Sequence, residues 1–278
     1  MHFPASIKVF RLNNNVNIPA VGLGVYQMPQ GQQTQKLIDN ALRNGYRHID
    51  TAAIYRNEET VGMAIRSSLI PREQIFVTTK LWNSDHGYDQ AIKAFHKSLE
   101  RLQMDYVDLY LIHWPVQGKR KESWRALETL YNEGKCRAIG VSNYMAPHLH
   151  ELIDYAKVLP AVNQIELHPY LFATRAETID LCREKGILPV AYSPLTKGEK
   201  LNDPVLLKMA GQYEKTSAQI LLRWALQQGF CVIPKSAAST RVIQNMQIFD
   251  FELGETDMHI LNNLDENLVT GWDPSGAL

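Results

Sequence analysis

Short apolar runs alternate with longer amphipathic segments along most of the chain. The short runs are rich in Val, Ile, Leu and Tyr, which favours strands, whereas the longer segments repeat apolar positions every three or four residues, which favours helices. Strands are predicted at residues 21–23, 47–50, 75–80, 107–113, 137–141, 162–166, 188–192 and 231–233. Helices are predicted at residues 34–43, 58–67, 88–102, 122–132, 146–155, 176–184 and 217–226.

The order of these elements predicts a parallel sheet. Each helix returns the chain to the start of the next strand, and strands covered by helices on both faces read as nearly continuous apolar runs. Eight such units close into a (β/α)8 barrel, the TIM-barrel arrangement of the α/β class. No linker rich in Pro, Gly or Ser interrupts the pattern, so one domain over residues 1–278 is expected, ending in a short C-terminal tail. Residues 7–12 and 16–18, joined by three Asn residues, predict a β-hairpin before the barrel.

The alternative α/β arrangement is a doubly wound dinucleotide-binding fold, which Gly22 and Gly24 suggest. That fold needs a further glycine where this chain has Gln27, and no helix is predicted to begin at the second glycine. Gly22 and Gly24 are therefore interpreted as a tight exit from the first strand.

Composition excludes several classes of function. With 278 residues, 45% of them hydrophobic, the chain can bury a large core. Lys and Arg number 29 and Asp and Glu number 29, so no basic excess points to nucleic acid. No apolar stretch reaches the roughly 18 residues of a membrane span, and residues 1–12 lack signal-peptide features, so a cytoplasmic protein without a membrane partner is expected. Cys136, Cys182 and Cys231 are too scattered for a disulfide framework or a cysteine zinc site, and no metal site is predicted.

Four ionisable residues follow neighbouring predicted strands. Asp50 ends the second strand and Tyr55 comes five residues later, while Lys80 and His113 end the third and fourth strands. The active site of such a barrel lies at the carboxyl ends of the strands. Taken singly, Asp50 and Lys80 would more often form a structural ion pair, and the Tyr and the His would more often only pack. Their occurrence together favours a catalytic site.

These four residue types suit carbonyl reduction. The ammonium of Lys80 is expected to lower the pKa of the Tyr55 phenol, and Asp50 is expected to keep Lys80 protonated and oriented. His113 can hydrogen-bond the reacting oxygen. The phenol would then donate a proton to an oxygen that gains negative charge as a hydride reaches its carbon.

The same residues lie in segments that resemble the aldo-keto reductase family. The matching segments follow in order through nearly the whole chain: GYRHIDTA at 45–52 with Tyr55 and Asn57-Glu58, TKLW at 79–82, DLYLIHWP at 108–115, GVSN at 140–143, NQIELHP at 163–169 and IPKS at 233–236. The resemblance implies a barrel that binds a nicotinamide cofactor, with Tyr55 as the acid, Lys80 and Asp50 as the pair that tunes it, and His113 as the donor that orients the substrate. Bacterial members similar to this chain reduce 2,5-diketo-gluconate or methylglyoxal.

The resemblance also implies a set of cofactor contacts. Ser142, Asn143 and Gln164 would hold the nicotinamide carboxamide, and Tyr192 would stack on the ring. Two cations, Lys235 and Arg241, at a predicted capped helix start suggest the 2′-phosphate of NADPH rather than NADH. The remaining predicted contacts are Gly24 and Val25 beside the first strand, Ser193 and Leu195 in the loop over the pyrophosphate, Ser236 beside the phosphate, and Gln244 and Asn245 at the adenine.

Tyr26, Trp82 and Trp114, with His113, are expected to line an aromatic substrate pocket that short loops leave open. The predicted function is therefore NADPH-dependent reduction of small aldehydes, dicarbonyls or keto-sugars by a monomer. Two alternatives remain. One is a non-catalytic barrel subunit that senses the cofactor and regulates a partner. The other is a hydrolase using Asp50 and Glu166, which leaves Lys80 and Tyr55 unexplained.

Overall fold

The computed structural model describes residues 3–4 and 7–277. An N-terminal hairpin consists of β1 (Val9–Arg11) and β2 (Asn17–Pro19). The following strands are β3 (Leu23–Gly24), β4 (His48–Asp50), β5 (Phe76–Leu81), β6 (Val107–Ile112), β7 (Cys136–Ser142), β8 (Val162–Glu166), β9 (Leu188–Tyr192) and β10 (Cys231–Val232). The helices are α1 (Gln32–Arg43), α2 (Glu58–Ser67), α3 (Tyr88–Leu102), α4 (Arg120–Asn132), α5 (Ala146–Tyr155), α6 (Ala176–Glu184), α7 (Pro204–Tyr213), α8 (Ser217–Gln227), α9 (Ser239–Gln244) and α10 (Glu255–Asn262).

Strands β3 to β10 pair in parallel, each with its neighbour in sequence. The first and last strands close the barrel, because the Gly22 amide donates to the Val232 carbonyl at 2.8 Å and the Val232 amide donates to the Ala20 carbonyl at 3.0 Å. The predicted (β/α)8 fold is confirmed, and each of the predicted strands overlaps an observed one.

The hairpin lies at the end of the barrel where the strands begin. Asn13 Nδ2 donates to the Pro160 carbonyl at 3.0 Å, and Asn14 Nδ2 donates to the Arg137 carbonyl at 2.9 Å. Leu12 and Ile18 join the apolar cluster formed by inward-facing strand residues. Because one end of the barrel is packed in this way, a ligand can approach only from the carboxyl ends of the strands.

Three helices differ from the expectation. The sequence pattern did not predict α7 and α10, although Asp203 accepts from the Val205 amide at 2.8 Å and Pro204 follows it, which is a typical helix start. The prediction of a capped start at α9 is wrong: its N-cap position is Ala238, which has no capping side chain. Ser239 lies within the first turn, beyond the position from which a hydroxyl caps. No described helix is long and apolar enough to cross a bilayer.

The three cysteines, Cys136, Cys182 and Cys231, are buried and form no disulfide bond. Burial raises the pKa of all three thiols, which makes them weak nucleophiles. They therefore pack the core, as their spacing predicts.

Candidate active site

A cleft of about 1320 Å³ opens at the carboxyl ends of the strands. Typical small-molecule sites measure about 300–1,000 Å³, so this cleft has room for a dinucleotide beside a small substrate. Residues predicted for catalysis, cofactor binding and substrate binding share it. Those that line it are Gly24, Tyr26, Asp50, Tyr55, Trp82, His113, Trp114, Ser142, Asn143, Gln164, Tyr192, Ser193, Leu195, Lys235, Ser236, Arg241, Gln244 and Asn245.

Two predicted site residues do not line the cleft. Lys80 is completely buried in β5, where its ammonium pairs with Asp50, which does line the cleft. Val25 is also completely buried, and its side chain belongs to the hydrophobic core. The Val25 amide donates to the Asp50 carbonyl at 3.0 Å, so its main chain supports the strand end, and its cofactor contact stays a prediction.

The Asp50 carboxylate connects three strands. Its Oδ1 accepts from Lys80 Nζ at 2.5 Å, and its Oδ2 accepts from Gln164 Nε2 at 2.8 Å. Lys80 Nζ also donates to the Thr51 carbonyl at 2.9 Å. Burial lowers the pKa of Lys80, while the Asp50 charge opposes that shift. Asp50 thus compensates the charge of the buried Lys80 ammonium and orients Gln164, one of the residues predicted to bind the cofactor.

Tyr55 ends a short 3-10 turn (Ala53–Tyr55) after β4. Lys80 Nζ lies 5.1 Å from the centre of its ring, and the ring of Tyr26 packs at 5.0 Å. Burial raises the pKa of Tyr55 well above its ordinary value, and the charge of Asp50 raises it further. The expected lowering of the Tyr55 pKa by Lys80 is not found, because burial is the largest influence on this phenol and the Asp50 charge acts in the same direction. The phenol keeps its proton at neutral pH.

His113 follows β6 and packs edge-on against two aromatic rings. The ring centres of Trp82 and Tyr55 lie 5.3 and 5.7 Å away. Burial lowers the pKa of His113 well below its ordinary value, and the charges of Lys80 and His86 add to this shift. The imidazole is therefore neutral at physiological pH and can offer one N–H donor to the cleft.

Asn57 connects the segments that carry two of the tyrosines of the cleft, Tyr26 and Tyr55. Its side chain is completely buried, accepts from Thr51 Oγ1 at 2.7 Å, and donates to the carbonyls of Val25 and Met28 at 2.9 and 3.0 Å. These bonds tie the segment carrying Tyr26 to the one carrying Tyr55. The motif around residues 57–58 marks this position in the sequence, but its structural role becomes visible only in the fold.

The predicted carboxamide-binding residues form one hydrogen-bonded group. Tyr192 Oη donates to Asn143 Oδ1 at 2.8 Å, and Asn143 Nδ2 donates to the His113 carbonyl at 2.9 Å. Ser142 Oγ donates to the Gln164 carbonyl at 2.8 Å. Since Gln164 also donates to Asp50, this group and the buried ion pair are continuous.

The far end of the cleft is basic. Lys235 and Arg241 line it, and neither forms an ion pair with any residue that the structure describes. Two cations without an acidic partner favour an anionic group at this end.

The mouth of the cleft is aromatic and open. Trp272 is 71% exposed and packs edge-on against Trp114, with ring centres 6.1 Å apart. Tyr26 is 49% exposed. Sequence reasoning did not assign Trp272 to the site, although an aromatic residue in the predicted C-terminal tail was an available signal.

The fold and the strand-end residues together define an oxidoreductase barrel. Residues 20–266 match the model of the aldo/keto reductase family, and the chain belongs to that family. Its resemblance to this family, drawn from the segments described above, is thereby confirmed.

Individual relatives resemble the chain over almost its whole length. Glyoxal reductase of Bacillus subtilis is 49% identical over 276 residues, with 99% of each chain covered. Among solved structures, an aldo-keto reductase enzyme from a deep-sea metagenome library is 44% identical with a TM-score of 0.90, covering 94% of this chain and 96% of that one. An aldo-keto reductase of Bombyx mori in complex with NADP is 34% identical with a TM-score of 0.89, covering 96% of this chain and 95% of that one.

Proposed function

We propose that this protein reduces small aldehydes and dicarbonyls with NADPH, and that Tyr55 donates the proton. The observation that carries the proposal is that the Tyr55 phenol and the neutral His113 imidazole line the same continuous cleft as the unpaired cations Lys235 and Arg241. The likeness to an enzyme named glyoxal reductase supports the substrate class.

The residues of the cleft fit a nicotinamide dinucleotide. A carboxamide needs acceptors for its NH₂ group, and the side-chain oxygens of Asn143 and Gln164 can supply them. Tyr192 offers a ring face fixed by its bond to Asn143. Lys235 and Arg241 match a 2′-phosphate, and the NADP complex of the Bombyx mori relative supports the same cofactor. When bound, the reduced cofactor supplies the hydride that forms the new C–H bond.

Tyr55 and His113 then act on the carbonyl oxygen. Because the pKa of Tyr55 is raised, the phenol carries its proton into the reaction, and transfer remains favourable since a developing alkoxide is a much stronger base than a phenolate. His113, neutral because burial lowers its pKa, donates a hydrogen bond that orients the oxygen. The Asp50–Lys80 pair keeps a cation 5.1 Å from the ring on which negative charge then appears.

The walls of the cleft indicate the size of the substrate. Tyr26, Trp82 and Trp114 present aromatic surface beside His113, and the mouth is open to solvent. Such a pocket suits small dicarbonyls and keto-sugars, which an open mouth admits, and aromatic aldehydes, whose rings can pack on the aromatic walls.

Loss of NADPH absorbance with glyoxal, methylglyoxal, benzaldehyde and 2,5-diketo-gluconate tests the proposal. We expect Tyr55→Phe to lower kcat by about 10²–10⁴-fold, the usual contribution of a general acid. Tyr131→Phe, which removes a phenol from α4 outside the cleft, is the matched control. Unchanged turnover in Tyr55→Phe would refute the assigned proton donor. Quenching of protein fluorescence by NADPH without turnover of any substrate would favour the sensor alternative instead.

A further inference from the structure

The loop that follows β9, residues 193–202 and here called the β9 loop, has an unfavourable backbone. Ser193, Thr196 and Lys197 have φ values of 47°, 52° and 50°, and Gly198 has 93°. The left-handed region is costly for residues other than glycine, so such a run persists only where the surroundings hold it. Several residues of this loop line the cleft. The β9 loop therefore forms part of the wall of the cleft.

The β9 loop is held by its own hydrogen bonds, by packing of Leu195 and Leu201 on the core, and by two cationic contacts to the C-terminal segment, residues 265–272. Lys197 Nζ donates to the Thr270 carbonyl, and Lys200 forms an ion pair with Glu266. Lys200 Nζ also lies 5.0 Å from the centre of the Tyr170 ring. Among the described residues, no hydrogen bond or ion pair joins the β9 loop to residues 235–241 on the opposite, basic side of the cleft.

Glu166, at the end of β8, anchors the C-terminal segment to the barrel. Its Oε1 accepts from the Thr270 amide at 3.0 Å and from the Thr270 hydroxyl, and its Oε2 accepts from the Gly271 amide at 3.3 Å. The side chain is 2% exposed. Burial alone would raise the pKa of Glu166, but hydrogen bonds from His168 and Thr270 bring it below its ordinary value. Glu166 is therefore a carboxylate, and Trp272 directly follows Gly271, whose amide donates to that carboxylate.

We propose that Glu166, the C-terminal segment and the β9 loop form a latch that couples nucleotide retention to the position of Trp272. Glu166 is its fixed point, and Lys197 and Lys200 connect the loop to the segment. When the β9 loop opens to release a nucleotide, it disturbs the C-terminal segment, which carries Trp272 at the mouth of the cleft. Glu166 is thus a positioning residue that acts on both parts of the cleft. This inference rests on the proposed function for the identity of the nucleotide.

Hydrogen exchange of the nucleotide-free protein tests the coupling directly. We expect the double variant Lys197→Met/Lys200→Met to speed amide exchange in the β9 loop and also at Thr270 and Gly271, although those amides are held by Glu166 and not by the lysines. Glu166→Gln should speed exchange in both segments as well. The latch would be overturned if exchange became faster only in the β9 loop of the double variant and only in the C-terminal segment of Glu166→Gln.

The rate of NADPH dissociation, followed by stopped-flow displacement with excess NADP, tests the consequence for ligand retention. Since exposed lysine contacts are individually weak, we expect NADPH to dissociate about three- to tenfold faster from the double variant than from the wild type. Lys197→Arg should keep the wild-type rate, because it preserves a donor to the Thr270 carbonyl. Lys208→Met, in α7 next to the cleft-lining Leu207, controls for the loss of a nearby cation. A dissociation rate in the double variant no higher than in Lys208→Met would also overturn the latch.

The two proposals fail in different ways. If wild-type protein binds no nicotinamide nucleotide, the proposed function is wrong, and the exchange experiment still decides whether the two segments are coupled. If NADPH binds and is turned over while exchange stays uncoupled, only the latch is wrong.

Discussion

Asp50→Asn perturbs the buried ion pair at the centre of the site with little change in side-chain volume. It leaves the completely buried Lys80 ammonium with only neutral acceptors, one of them the Thr51 carbonyl at 2.9 Å. The new amide also has a single oxygen. If that oxygen faces Lys80, the NH₂ group faces Gln164 Nε2, which donated to the carboxylate in the wild type. Asn therefore satisfies one of the two partners of Asp50.

The size of the effect follows from burial. Removing one partner of a buried ion pair costs about 3–5 kcal/mol, because the remaining charge is left uncompensated. We expect Asp50→Asn to lower the free energy of unfolding by about this amount. The double variant Asp50→Leu/Lys80→Met removes both charges and should recover most of the loss, since apolar replacement of a buried pair is often close to neutral.

Urea denaturation measures these differences. Glu122→Gln is the matched control, because it makes the same acid-to-amide change in an exposed pair with Arg125 at 3.1 Å and should cost less than about 1 kcal/mol. A loss in Asp50→Asn no larger than in Glu122→Gln would refute the reasoning. The reasoning would also be refuted if Asp50→Leu/Lys80→Met had a free energy of unfolding no higher than that of Asp50→Asn.

Two further predictions concern the cofactor and pH. Arg241→Ala should weaken the binding of NADPH by about tenfold or more and affect the binding of NADH little. The reason is that a hydrogen bond to a charged group contributes about 1.5–3 kcal/mol and only NADPH carries the 2′-phosphate. Equal losses of affinity for the two nucleotides in fluorescence titrations would refute the assignment of Arg241 to the 2′-phosphate. Burial lowers the pKa of His48 from 6.5 to about 3. Between about pH 6.5 and 3, His48 is therefore protonated in the unfolded chain but neutral in the folded protein. As the pH falls through this range, His48 lowers the free energy of unfolding by at most about 1.4 kcal/mol per pH unit. His48→Gln, which can still bond Thr78, should flatten that slope in urea denaturation series, and an unchanged slope would contradict the assignment.

Much of the candidate site could be predicted because a parallel barrel converts order in sequence into place in space. Asp50, Lys80 and His113 each follow an apolar run, and the carboxyl ends of all strands meet at one rim. Val25 shows the limit of that reasoning. It lies next to Gly24 in sequence, but its side chain turns into the core while Gly24 lines the cleft. Such a choice depends on the packing of the whole strand end.

Helices were predicted where apolar periodicity was strong and missed where it was weak. The segment that becomes α7 lies between the β9 loop and α8, and its start depends on Asp203 and Pro204 more than on any repeat of apolar positions. At α9 the hydroxyl expected to cap lies one position too far along, a shift that local sequence does not specify.

The sequence alone determined the class of fold, the order of the strands and which polar residues stand at their ends, because apolar periodicity and strand-end chemistry are local properties of the chain. Tertiary structure alone decided how those residues act on one another. Asp50 and Gln164 meet across 114 positions, and Glu166 holds Thr270 across 104. The raised pKa of Tyr55 likewise depends on burial and on a carboxylate from another element. Electrostatic and hydrogen-bond energies depend on distance and desolvation, and the folded chain sets both of these.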